Sequence, residues 1–220
     1  MSRIIDLSHR LAPGMPSYPG MLEPQFRTWF THEESASRGT YSPGTTFQIA
    51  TYELGSNTGT YVDAPFHRHQ GGADLAGLPL EKLADLPGVV VEGVEEGGVP
   101  WEAFEGVDLR GKAVLVRTGW SRRWGEPGYF RSGPYLGDEV CRKLVEAGAT
   151  LVGIDCANID NMSDPARPAH TILLAAGIPI VEHLRDLDQL PRSGFRFFAA
   201  PPAIEQGTSF TVRAFAIVES

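Results

Sequence analysis

Apolar and polar residues change rhythm along this chain often enough to predict many short elements. Residues 45–54 alternate apolar and polar side chains, as a half-buried strand does. Residues 3–7, 89–91 and 113–117 are short β-branched or aliphatic runs that predict strands, the last two buried. Over 138–147 the apolar positions Val140, Leu144, Val145 and Ala147 follow helical spacing, and Gly148 stands where a C-terminal cap belongs. Residues 151–154 then read as a buried strand. A second short helix is expected over 169–176, stopped by Gly177 and Pro179, before a strand at 180–182. Segments 195–199 and 210–218 read as closing strands. Helix followed by strand is an α/β signature. The 25 glycines and 17 prolines are spread throughout, which suits tight turns rather than a helical bundle. No internal repeat or low-complexity linker divides the chain, so residues 1–220 are expected to form a single α/β domain with a mixed sheet.

Composition narrows the classes. A chain of 220 residues with 42% hydrophobic side chains can bury a substantial core. The formal net charge is −8 and the basic residues form no arm or stripe, which argues against nucleic acid as a partner. Cys141 and Cys156 form no close pair, so neither a disulfide framework nor a thiolate zinc knuckle is expected. The amino end does not read as a signal peptide and no apolar run is long enough to cross a bilayer; a cytoplasmic protein is the expectation.

The chemistry concentrates in Asn57-Thr58-Gly59-Thr60-Tyr61-Val62-Asp63-Ala64-Pro65-Phe66-His67. This segment resembles the pattern His-x-Gly-Thr-His-x-Asp-x-Pro-x-His with its first two histidines replaced. The same resemblance extends over nearly the whole chain. It includes Ile4-Ile5-Asp6-Leu7-Ser8-His9, Pro13-Gly14-Met15-Pro16 and Tyr18-Pro19-Gly20 near the start, and His170-Thr171-Ile172-Leu173-Leu174 through Gly177-Ile178-Pro179-Ile180-Val181-Glu182 later. These segments are similar to the metal-dependent cyclase/hydrolase family that includes bacterial kynurenine formamidase. The resemblance implies a swivelling β/β/α-type fold, hydrolysis of an aryl formamide or related amide such as that of tryptophan catabolism, and a homo-oligomer, dimer or tetramer.

In that family two histidines and the aspartate of the motif join a later histidine and a glutamate around metal, while the final motif histidine handles protons. Carried to this chain, the resemblance implies Asp63, His170 and Glu182 as ligands and His67 as the acid/base. Asn57 offers only a neutral carbonyl oxygen and Tyr61 only a neutral phenol, both poor zinc ligands. One divalent cation, zinc or manganese, or none, is therefore expected rather than two. Asn57 and Tyr61 become hydrogen-bond donors to a small-molecule substrate, with Tyr18 and Phe66 beside them.

Other readings of the same residues stand alongside. Asp63 alternatively caps a turn before Pro65, and His67 alternatively lies on the surface beside Arg68 and His69. Glu182 ends an apolar run, where a buried carboxylate needs a partner. Asp155 ends a predicted strand; with Cys156, Asn158 and Asp160 it forms either a second layer around the site or a turn. The 120–130 stretch, rich in aromatics, glycine and arginine, reads as a mobile or substrate-facing loop. His9 and His183 read as structural, His183 pointing away from the face that Glu182 uses. Two other functions remain: a metal-free cyclase or dehydratase on the same scaffold, and a non-catalytic relative that binds a small ligand.

Overall fold

The computed structural model describes residues 2–219. Eleven strands and three α-helices follow in chain order: β1 Arg3–Asp6, β2 Gln25–Phe30, α1 His32–Ser37, β3 Ile49–Glu53, β4 Tyr61–Asp63, β5 Leu86–Glu92, β6 Ala113–Arg117, α2 Asp138–Ala147, β7 Leu151–Ile154, α3 Pro168–Ala175, β8 Ile180–Glu182, β9 Ser193–Phe198, β10 Ser209–Thr211 and β11 Phe215–Val218. Nine strands form one mixed sheet in the order β1-β11-β9-β5-β6-β7-β8-β4-β10. The β5-β6-β7-β8 stretch is parallel and the remaining pairs are antiparallel.

The central strands are apolar on both faces because both faces are covered. Val89, Val91, Val114, Val116, Val152 and Ile154 face the helices, joined by Val140 and Leu144 of α2 and Leu173 of α3. Val90, Leu115, Leu151 and Val181 face the opposite core, with Ile5 and Phe197. Gly153 is required in β7: a Cβ there would meet Leu184 at 2.7 Å and Leu115 at 2.8 Å. Helix α2 ends where expected, with Gly148 left-handed at φ 78° and its N–H bonded back to Leu144 and Val145. No helix among the described residues is long and apolar enough to cross a membrane.

Two expectations need correction. The 210–218 segment is two strands, not one. Ser209–Thr211 pairs with β4, and Phe215–Val218 pairs with β1 and β9. Between them Val212 donates to Thr60 and Leu7 donates to Ala214, so the segment changes partners midway and curls the sheet. The 45–54 alternation does mark a strand, but β3 pairs only with β2, in a separate two-stranded ribbon whose side chains are largely exposed. Alternation there does not reflect a face packed on the core of this chain. Trp29 is 74% exposed and Tyr52 64%. The link between these strands is α1, started by a capping box of Thr31 and Glu34.

Candidate active site

Strand β4 carries the motif into the sheet. Its alternation sends Val62 into the core and leaves Tyr61 and Asp63 together on the other face. Register supplies their partners. Tyr61 stands opposite Glu182 of β8, and Asp63 stands opposite Ser209 of β10. The Tyr61 hydroxyl donates to Glu182 Oε2. The Ser209 hydroxyl donates to Asp63 Oδ1 at 2.5 Å. The other Glu182 oxygen, Oε1, accepts from the Ile159 backbone N–H at 2.5 Å.

His67 follows on a single 3₁₀ turn, Pro65–His67. Its Nδ1 lies 3.1 Å from Ser209 Oγ and 3.8 Å from Asp63 Oδ1. The His67 side chain is 37% exposed, so it joins a buried acid to solvent. His170 sits in the first turn of α3 and is 6% exposed. Asp160 takes over the helix start: it accepts from Ala169 N at 2.6 Å and His170 N at 3.2 Å, and holds His170 Nδ1 at 2.6 Å. That contact leaves Nε2 facing Asp63 Oδ2 at 3.6 Å and Glu182 Oε1 at 3.8 Å.

These separations suit a cation. Two donors each about 2.1 Å from a shared ion at the tetrahedral angle stand roughly 3.4 Å apart. Asp63 Oδ2 is buried and has no hydrogen-bond partner, a costly condition for a carboxylate oxygen unless a positive charge faces it. Three buried carboxylates, Asp63, Asp160 and Glu182, surround the single imidazole of His170. The residues thus fit one divalent ion. Donor atoms of Asp63, His67 and His170 lie within 4.8 Å of one another, while Glu182 approaches the group through His170.

The protonation balance reflects the same crowding. Burial works against a charged His170, but Asp160, Asp63 and Glu182 outweigh it and push its pKa up to about 10. Burial chiefly raises Glu182 to about 7, opposed by His170 and by its hydrogen bonds from Tyr61 and Ile159. Burial, then Glu182 and Asp63, hold the Tyr61 phenol well above its ordinary pKa, so it stays a neutral donor and not a phenolate ligand.

Tyr18, Met21, Asn57, Tyr61, His67, Arg68, Asn158, Arg167 and His170 line an open cleft of about 300 Å³ over this group. Tyr18, Asn57 and Tyr61 thus stand where a substrate would meet them. Phe66 is not among the walls. A 3₁₀ helix turns about 120° per residue, so Phe66 and His67 leave the turn in different directions.

The 155–160 group divides. Asp160 supports His170, and Asn158 lines the cleft. Asp155 instead accepts from Thr118 N, Thr118 Oγ1 and Gly119 N, tying the end of β6 to the end of β7. The Cys156 thiol is buried against the Pro134 and Asn158 carbonyls, and burial with Asp155 holds its pKa well above the usual thiol value. It is no nucleophile.

The 120–130 stretch is packed: Trp120 is 5% exposed and Tyr129 fully buried. Trp124 stacks on His9 at 3.9 Å. Only Trp124 and Phe130 reach a narrow slot beside the cleft, with Tyr18 and His183. His183 does not point to the far side of Glu182. Strand β8 ends at Glu182, His183 turns at φ 56°, and its ring lies 5.4 Å from that of Tyr61. Its Nδ1 is 3.0 Å from the Tyr129 hydroxyl. Ser209 carries no local sequence signal; only its sheet pairing with Asp63 reveals it. Arg68 and Arg167 were also not foreseen as cleft residues.

Known proteins resemble this chain over nearly its whole length. The kynurenine formamidase of Geobacillus thermodenitrificans is 28% identical over 97% of both chains. The isatin hydrolase of Roseibium aggregatum is 28% identical, covering 98% of this chain and 91% of its own. Among solved structures, isatin hydrolase A from Labrenzia aggregata superposes with a TM-score of 0.84 at 27% identity, covering 100% of this chain and 94% of the other. The sequence model of the Cyclase family matches residues 5–161. The chain belongs to the Cyclase family.

Proposed function

We propose that this protein hydrolyses the C–N bond of a small amide, an aryl formamide or a cyclic amide, using one divalent cation, zinc or manganese. The observation that carries this reading is Asp63 Oδ2, buried without a hydrogen bond and 3.6 Å from His170 Nε2, a spacing two ligands of one ion would have. The relatives named kynurenine formamidase and isatin hydrolase support amide hydrolysis. A bound divalent cation supplies Lewis acidity to an amide carbonyl and lowers the pKa of water.

The chain's own residues do the rest. Asp63, His170 and Glu182 would hold the ion. Asp160 keeps the His170 proton on Nδ1 and so presents the Nε2 lone pair. Ser209 fixes the Asp63 carboxylate by binding its other oxygen. His67, half in solvent and linked to Ser209, takes a proton from water and returns it to the leaving nitrogen. Asn57 offers a donor to the substrate oxygen; Tyr61, whose single O–H is committed to Glu182, meets the substrate as a wall of the cleft, with Tyr18 beside the substrate ring.

The mutual approach of Asp63, His67 and His170 favours a second reading, in which His67 is the third ligand and Glu182 buttresses Tyr61. Metal content and turnover of formanilide before and after chelation test the main reading. Turnover that survives complete metal removal refutes it in favour of metal-free chemistry; tight binding of a small aromatic acid with no turnover and no metal favours a non-catalytic role.

A homo-oligomer, dimer or tetramer, is part of this proposal. The exposed Trp29, Ile49 and Tyr52 of the β2-β3 ribbon support it, since an isolated two-stranded ribbon is marginal alone. A monomer in sedimentation at micromolar concentration would refute it.

A further inference from the structure

The cleft is electrically divided. Its floor gathers the carboxylates Asp63, Asp160 and Glu182. Its rim carries two guanidiniums, Arg68 and Arg167. Neither forms an ion pair with a carboxylate among the described residues. Some arginines of this chain are ion-paired, such as Arg117 with Glu92 and Arg142 with Asp138, while others among the described surface residues are not; Arg68 and Arg167 are set apart by lying together on the cleft rim.

Both rim arginines are nevertheless positioned by neutral acceptors. Arg68 Nε donates to Thr171 Oγ1 and its Nη2 to the Ala166 carbonyl, each at 3.0 Å. Arg167 Nη1 donates to Asn158 Oδ1 at 3.2 Å. These bonds use three of the ten N–H groups on the two side chains and neutralise no charge. Arg167 also holds a left-handed backbone, φ 48°, directly before α3, a conformation that a non-glycine residue adopts only when its surroundings impose it. Thr171 follows His170, and Asn158 lies two residues before Asp160. The same loop and helix that present the imidazole to the floor therefore present both guanidiniums to the rim.

We infer that Arg68 and Arg167 form a carboxylate-recognition site, so that the amide substrate carries an anionic group beside its reacting carbonyl. This rests on the amide-hydrolase reading and adds the substrate class. The planar guanidinium fork matches a carboxylate, and the acidic floor would repel that carboxylate toward the rim. Substrate orientation follows: anion outward on the arginines, carbonyl inward at Asp63 and His170, ring against Tyr18. Arg68 and Arg167 are specificity residues that touch the substrate away from the reacting atoms.

The test compares 2- and 3-formamidobenzoate with neutral formanilide on the metal-loaded enzyme and on its Arg68→Gln, Arg167→Gln and corresponding Lys variants. A charge-assisted hydrogen bond corresponds to roughly a tenfold to hundredfold effect. The parent should favour at least one of the acids over formanilide by about that factor, mainly through KM. Each Gln variant should lose about tenfold of the preference, and each Lys variant less. Equal kcat/KM for acid and neutral substrates in the parent, or equal losses on both in the variants, overturns the inference. Benzoate binding to the metal-stripped protein, read by calorimetry, separates this inference from the reading beneath it. If no formamide is hydrolysed but benzoate binds and Arg167→Gln weakens it about tenfold, the hydrolase reading fails and the anion site stands. If benzoate does not bind, or binds the parent and both Gln variants alike, the anion site is refuted.

Discussion

Asp160→Asn is the perturbation that interrogates the site most finely, because Asp160 touches His170 without reaching the cation position. Its carboxylate accepts three hydrogen bonds, from Ala169 N, His170 N and His170 Nδ1. The amide keeps one oxygen, which can serve Ala169. Its NH₂ then faces the two donors of His170, and the imidazole loses the contact that fixes its proton on Nδ1. Removing such a support lowers metal affinity by about 10–100-fold, or roughly 1.4–2.7 kcal/mol. A second effect opposes the first. In the parent, the surrounding acids hold the His170 pKa up at about 10, so a cation must displace a proton from Nε2 at neutral pH. Asp160→Asn weakens that proton's hold. The parent's affinity should therefore rise more steeply with pH than the variant's, and the deficit of Asp160→Asn should widen from pH 6 to pH 8.5. Zinc titration against a competing chromophoric chelator at several pH values measures this. A variant that binds zinc as tightly as the parent at pH 8.5 refutes the assigned role of Asp160.

Three further outcomes follow from the same geometry. His67→Ala should reduce kcat by about 10²–10⁴-fold with metal content retained; loss of the metal instead makes His67 the third ligand. Burial, with a lesser contribution from Arg185, lowers the His9 pKa to about 4, so the unfolded chain, with its ordinary value near 6.5, binds the proton more readily. His9 therefore leaves stability intact above pH 6.5 and erodes it as pH falls toward 4, by no more than about 3 kcal/mol, and His9→Phe should flatten that slope in denaturant titrations. Gly153→Ala should destabilise the fold by about 1–3 kcal/mol, since its methyl would collide with Leu184 and Leu115; an unchanged denaturation midpoint contradicts the packing described for β7.

Much of the fold was legible where local pattern and burial agree. Strands β6, β7 and β8 lie at their expected positions because central strands covered on both faces are largely aliphatic, with Arg117 and Glu182 only at the ends of β6 and β8. Helix α2 announces itself through its apolar stripe and Gly148. Strand β4 was not legible as a strand: three residues with Asp63 in the middle of a turn-like sequence have no strand rhythm, and their pairing with β8 and β10 is decided at long range. The same limit hid Ser209, which lies 146 positions from its partner Asp63. The candidate residues Asp63, His67, His170 and Glu182 were visible through their motif positions; the fold gathers donor atoms of the first three within 4.8 Å and sets Glu182 3.8 Å from His170. His183 defeated the alternation argument because a strand's period ends with the strand, here one residue earlier. Asp155 and Asp160, five residues apart in one loop, take unrelated jobs because one faces β6 and the other faces α3.

The central claim is a cation shared by Asp63 and His170. A crystal structure of the protein grown with manganese, with anomalous data, tests it most directly. The account predicts a peak about 2.0–2.2 Å from Asp63 Oδ2 and His170 Nε2, with Glu182 completing the set. A protein that takes up no manganese or zinc, or binds it only at surface carboxylates, contradicts the account.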